Sequence, residues 1–157
     1  MANVLISSAA LILALILSSE YSKREKKRLS ELTAFRELLV YLRRRVGCLL
    51  SADISGFSDP ALDALGFSSL AGRVGLSSAF LGIRERLSVN EKEFEMLSGI
   101  FASLGKSYLK DEKKLLDESI KTLTAHLEKL SDEIPKKVKT AATLAVSISV
   151  GIIIFLL

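Results

Sequence analysis

The last third of the chain, Leu104 to Leu157, restricts what the rest can fold into more than any other stretch. It opens at Leu104-Gly105-Lys106-Ser107 and continues as an apolar-periodic segment to Ile134. It then passes Pro135 and the cations Lys136, Lys137 and Lys139, and ends in an uncharged run, Thr140 to Leu157. Leu109, Leu116, Ile120, Leu123, Leu127, Leu130 and Ile134 recur at steps of seven, four, three, four, three and four. That near-3.5 spacing keeps one narrow apolar seam on one side of a helix, and such a seam has to be covered by a partner helix. Pro135 lacks an N–H and disfavours a helical Ile134, so a break or kink is expected there.

The opposite end mirrors this one. Met1 to Ser19 carries no charged side chain, and Lys23, Arg24, Lys26, Lys27 and Arg28 follow it abruptly. All 22 basic and 18 acidic residues lie between Glu20 and Lys139. At about 1.5 Å per residue each apolar run would be roughly 27–28 Å long as a helix, just enough for a hydrocarbon core of about 30 Å. A cleaved secretory signal is disfavoured for the first run. Met1-Ala2-Asn3 offers no basic n-region, the cations follow the run, and Leu17-Ser18-Ser19 is a poor cleavage site. A buried core helix is disfavoured for the second run, since Gly151 to Leu157 has no polar face. The basic flanks then put the middle block in the cytoplasm by the positive-inside rule.

The expected architecture is all-α. Residues 1–19 and 140–157 are transmembrane helices, and 20–139 is a cytoplasmic antiparallel helical bundle. With Ser22 to Leu50 as the inward continuation of the first span, Leu29, Leu32, Phe35, Leu39, Leu42, Val46 and Leu49 form an apolar stripe able to pair with the final seam. Asp59-Pro60 is an N-cap and first-turn pair for a short helix ending near Leu65-Gly66. The glycine-interrupted segment from Phe67 to Gly82 reads either as a short helix around Leu70 to Phe80 or as a packed loop. Ser88-Val89-Asn90-Glu91 fits a capping box that starts a helix with a stripe at Phe94, Leu97, Phe101 and Leu104. Gly105 suits the left-handed residue that stops it, and Ser107 the cap of the helix that follows.

No catalytic constellation emerges. Gly105-Lys106-Ser107 lacks the earlier glycine and the preceding strand of a phosphate-binding loop. His126 is the one histidine and reads as a boundary residue beside Leu127; Cys48 reads as a small apolar residue, and one cysteine allows no internal disulfide. Neither a cofactor nor a metal is expected. Arg43-Arg44-Arg45 spreads over about 300° of a helix, which suits a solvated face or partner contact better than nucleic acid. Glu91, Glu93, Glu95, Asp111, Glu112, Asp117 and Glu118 mostly neighbour lysines and read as a solvated surface.

The order of a short N-terminal span, a basic flank, Glu31-Leu32 to Glu37-Leu38, a capped helix entering Leu104-Gly105-Lys106-Ser107, a long final helix and a C-terminal span resembles the stage III sporulation protein AB family. The resemblance is closest from Leu87 to Leu130 and covers nearly the whole chain in outline. It implies a non-catalytic, two-pass protein of the mother-cell membrane around the forespore, similar to platform proteins of type II secretion and type IV pilus systems. Implied partners are other membrane components of one complex, a cytoplasmic secretion-type ATPase, membrane lipid and further copies of the chain. The candidate interaction residues are Leu104, Gly105, Ser107, Arg43, Arg44 and Arg45. The alternative is a membrane-anchored regulatory or sensor adaptor that dimerises through its helical hairpin.

Overall fold

The computed structural model describes residues 2–46, 54, 56–106 and 108–156, with backbone alone at 2–11, 14, 109, 153, 155 and 156. Among the described residues the secondary structure is all helical: α1 Ala2–Arg45, α2 Pro60–Ala64, α3 Phe67–Val74, α4 Leu76–Gly82, α5 Glu91–Ser103 and α6 Leu109–Leu156. One 3-10 turn, Arg84–Arg86, lies between α4 and α5. The chain divides into two units, Arg28–Glu128, and Met1–Lys27 with Lys129–Leu157.

The core of the unit Arg28–Glu128 is built around Phe35 of α1. Its fully buried ring makes edge contacts with Phe67 of α3, Phe80 of α4 and Phe101 of α5, at centroid separations of 5.6, 5.4 and 5.7 Å. Phe80 also stacks on Phe94 at 5.0 Å. Leu32, Leu38, Leu39 and Leu42 extend the α1 stripe, and Leu116 and Leu123 bring in α6; all six are at most 1% exposed. The expected antiparallel pairing of first and last helices holds inside this unit. Arg28 and His126 meet on one carboxylate, while Arg43, fifteen residues further along α1, pairs with Asp117, nine residues back along α6.

Local signals explain most boundaries. Asp59 accepts from the Ala61 N–H at 2.8 Å and Pro60 opens α2, as the sequence predicts. The ambiguous stretch from Phe67 to Gly82 resolves into two helices separated by Gly75, whose φ of +85° a side chain would strain. The capping box falls two residues later than expected. Asn90 is the N-cap, accepting from the Glu93 N–H at 2.9 Å, and the Glu93 carboxylate accepts from the Asn90 N–H at 3.0 Å. Ser88 is drawn away from that role because its own N–H donates to Glu31 of α1 at 2.7 Å.

In the unit formed by Met1–Lys27 and Lys129–Leu157, α6 runs through Pro135 without a break, so of the expected break or kink the break is not found. Proline removes one helical hydrogen bond at a cost of about 3 kcal/mol, but the turns on either side keep theirs, and Leu130 and Ile134 just before it are buried. Leu13, Leu17 and Tyr21 of α1 and Leu144, Ile148 and Ile152 of α6 line an apolar groove of about 510 Å³. Among the described residues no helix is long and apolar enough to cross a membrane. The predicted spans 1–19 and 140–157 reach beyond them: described side chains begin at Ile12 and end at Ile154. What remains of each run is shorter than the roughly 20 residues a span requires. Cys48 and Leu49 also lie outside the described residues.

Candidate docking surface at the helix corner

The corner between α5 and α6 is assembled by residues that satisfy one another's backbone. The Ser103 hydroxyl donates back into the last turn of α5, to the Ile100 carbonyl at 2.8 Å with the Gly99 carbonyl 3.0 Å away, and the Ile100 carbonyl also accepts the Leu104 N–H at 3.3 Å. Leu104 is extended (φ −63°, ψ 138°), and Gly105 takes the left-handed conformation, φ +78°, that the sequence assigns to it. From the first turn of α6, Glu112 reaches back and accepts the Gly105 N–H at 2.7 Å. Glu112 is 6% exposed. Asp111 and Glu112 N–H groups both donate to the Tyr108 carbonyl at 2.9 Å, which starts α6 at Leu109. The cap predicted for Ser107 lies outside the described residues.

Glu112 thus fixes the corner. Replacing it with Ala leaves the partly buried Gly105 N–H without its acceptor, and should cost about 1–3 kcal/mol. The check is hydrogen exchange: protection at the Gly105 amide should fall in Glu112→Ala and be largely kept in Glu112→Gln, which still offers a carbonyl oxygen.

The corner faces the α3–α4 junction. Leu104, Gly105 and Phe101 on one side and Val74, Gly75, Leu76, Ser77 and Ser78 on the other line a cavity of about 200 Å³. Predicted interaction residues Leu104 and Gly105 are therefore brought together with a segment that the sequence left ambiguous.

The start of α5 is held by a buried ionic cluster. Arg28 of α1 grips Glu93 with two hydrogen bonds, Nε to Oε2 at 2.8 Å and Nη2 to Oε1 at 2.6 Å. His126 of α6 adds Nε2 at 2.6 Å from Oε1. An ionised carboxylate only accepts, so Nε2 carries the hydrogen in that contact. Burial pushes the Glu93 carboxyl up, but the hydrogen bonds from Arg28, His126 and the Asn90 N–H outweigh it, and its pKa lies below the ordinary value. One side chain therefore caps α5 and ties it to α1 and α6.

Glu93 and Glu112, which the neighbouring lysines in sequence mark as solvated surface, are instead both buried. His126 is the boundary residue that the sequence reads, half-buried, with its ring engaging Glu93. Signals for both carboxylates exist in the sequence. Glu93 stands three residues after Asn90, and Glu112 stands four before Leu116, in line with the seam.

The arginine triplet is spread out. Arg43 pairs with Asp117 through Nε–Oδ1 at 2.7 Å and Nη2–Oδ2 at 3.1 Å, which holds the Asp117 carboxyl below its usual pKa and raises that of Arg43. Arg45 donates to the Tyr41 hydroxyl at 2.8 Å and lies 5.3 Å from that ring's centroid. Arg44 is exposed. The three do not form one continuous cationic face. Among the described residues no group of His, Cys, Asp and Glu could hold a metal ion.

These helices, their phenylalanine core and the grooved corner define an all-α bundle protein. A family model described as stage III sporulation protein AB matches residues 74–157, more than half of the chain, from the end of α3 through the corner to the last residue. The chain belongs to the stage III sporulation protein AB family and is a sporulation-related protein. No curated protein and no solved structure matches it.

Proposed function

We propose that this chain is a non-catalytic platform component of a sporulation-specific, secretion-like membrane complex, anchored by its two apolar ends and docking a cytoplasmic secretion-type ATPase through its helical unit. The observation that carries this reading is the distribution of exposed apolar surface. Among the described residues, apart from Tyr21, Val74, Leu81 and Tyr108, every exposed large hydrophobic side chain lies between Ile12 and Leu17 or between Leu144 and Ile154. Water contact costs such a surface about 25 cal/mol per Å², and a lipid bilayer removes that cost. Lys23, Arg24, Lys26 and Lys27 on one flank and Lys136, Lys137 and Lys139 on the other then favour both helices entering the membrane from the cytoplasmic side. The Arg28–Glu128 unit offers the recessed corner for a protein partner.

The test is co-purification of the full-length protein from sporulating cells in mild detergent, with partners identified by mass spectrometry. A secretion-type ATPase and other small membrane proteins are expected in the eluate. Recovery of the chain alone, or with a signalling enzyme, would overturn the platform reading.

A further inference from the structure

We infer that the apolar groove between α1 and α6 holds one acyl chain of a membrane phospholipid, whose phosphate sits at Arg24. The inference rests on the membrane anchoring proposed above and names what fills the groove. No charged residue lines it, and its buried Ser149 hydroxyl already donates to the Ala145 carbonyl at 2.8 Å. From Ala141 to Ile152 the α6 wall is roughly 16 Å long, about half of a hydrocarbon core of about 30 Å and so the depth of one leaflet. A space of about 510 Å³ over that length has a cross-section of roughly 30 Å², less than half that of a helix about 10–12 Å across. A partner helix does not fit inside it. One unbranched hydrocarbon chain does.

The mouth of the groove suits a headgroup. Tyr21 lines the end at which α1 becomes charged, and its ring joins an apolar body to a polar tip, the kind of side chain found at headgroup depth. One turn further on, the helical period keeps Arg24 on the α1 face of Leu13, Leu17 and Tyr21, and Lys137 on the α6 face of Ala141 and Ile148. Arg24 is exposed and, among the described residues, pairs with no carboxylate. Of the neighbouring acidic residues, Glu20 holds Lys23, Glu133 holds Lys137, and Glu25 is buried. A guanidinium in that position offers two N–H groups at once to a phosphate at the headgroup end of a chain lying in the groove.

The experiment is native mass spectrometry of the full-length protein in a non-ionic detergent, titrated with dioleoyl phosphatidylglycerol or with dioleoylglycerol, which has the same chains and no phosphate. One phosphatidylglycerol per chain is expected, held about tenfold or more tightly than dioleoylglycerol. Ala145→Phe, which fills the groove, and Arg24→Glu, which reverses the charge at its mouth, should each weaken binding about tenfold or more, with helix content and melting unchanged. Val146→Phe, at an exposed position outside the groove lining, should leave it as it is. Lipid binding equal in the unaltered protein and both groove variants would mean an unspecific lipid coat and overturn the inference, as would equal affinity for dioleoylglycerol. Displacement by millimolar glycerol phosphate would give Arg24 to a soluble phosphate, and a dimer that dissociates in Ala145→Phe would give the groove to a second copy; either result overturns it too. Retention of the protein in alkaline-washed membranes without a bound lipid sinks this inference alone, whereas its release by that wash sinks the anchoring on which it rests.

Discussion

Phe35→Ala should lower the stability of the Arg28–Glu128 unit by about 3–5 kcal/mol, the range for removing a buried aromatic ring. Phe35 is fully buried and is the residue on which α3, α4 and α5 converge, each through one phenylalanine at 5.4 to 5.7 Å. Its loss removes the ring's transfer energy and three edge contacts together, and leaves a void that three separate helices border. Urea denaturation of the full-length protein in detergent, followed by far-UV circular dichroism, would measure this. Phe35→Leu refills part of the void and should show a smaller loss. A midpoint unchanged in Phe35→Ala would mean that the aromatic cluster does not hold the short helices to α1.

The second large effect is at Glu93. Glu93→Gln removes the charge that Arg28 faces, and breaking a buried ion pair from one side costs about 3–5 kcal/mol. It also predicts a change in pH dependence. The folded-state pKa of Glu93 lies below its unfolded value, so its contribution is fully present above the ordinary carboxylate pKa of about 4.3. That contribution declines as the pH falls through the lower, folded value. The native protein should therefore lose stability on acidification below about pH 4–5, and Glu93→Gln should lose less over the same interval. Unfolding midpoints measured from pH 7 down to pH 3 for both proteins test it. Parallel acid limbs would show that Glu93 is not ionised in the folded state. Asp117 also has a lowered pKa, but it faces water with Arg43, so Asp117→Asn should be close to neutral.

How far the fold could be read from the chain varied with the range of the interaction. The apolar recurrence of three and four residues marked α1 from Leu29 to Val46, and the seven-residue steps Leu116, Leu123 and Leu130 marked the buried side of α6. Asp59-Pro60 and Gly105 act within a few residues of themselves, and both behave as their local chemistry dictates. Glu93 is only half legible: its place three residues after Asn90 marks the capping box, but its main partner, Arg28, stands 65 residues away and no local pattern announces that clamp. The misplaced capping box has the same origin. Ser88 and Asn90 are both able caps, and the choice falls to Glu31, which binds the Ser88 N–H from another helix. Gly75 divides α3 from α4 for a local reason, but the cavity that its bend helps to form depends on the corner at Gly105, thirty residues later.

The position of His126 and Asp117 so late in the chain bears on how the protein is made. When the ribosome has finished α5, the Phe35, Phe67, Phe80 and Phe101 rings have all been synthesised, and the aromatic cluster can form. Glu93 has by then met Arg28 but not His126, Arg43 still lacks Asp117, and the Gly105 N–H has no Glu112. A chain that stops between Gly105 and Glu112 holds the Arg28–Glu93 and Glu31–Ser88 contacts but lacks Leu116 and Leu123, so its apolar centre is left uncovered on the α6 side along with the partners of Gly105 and Arg43.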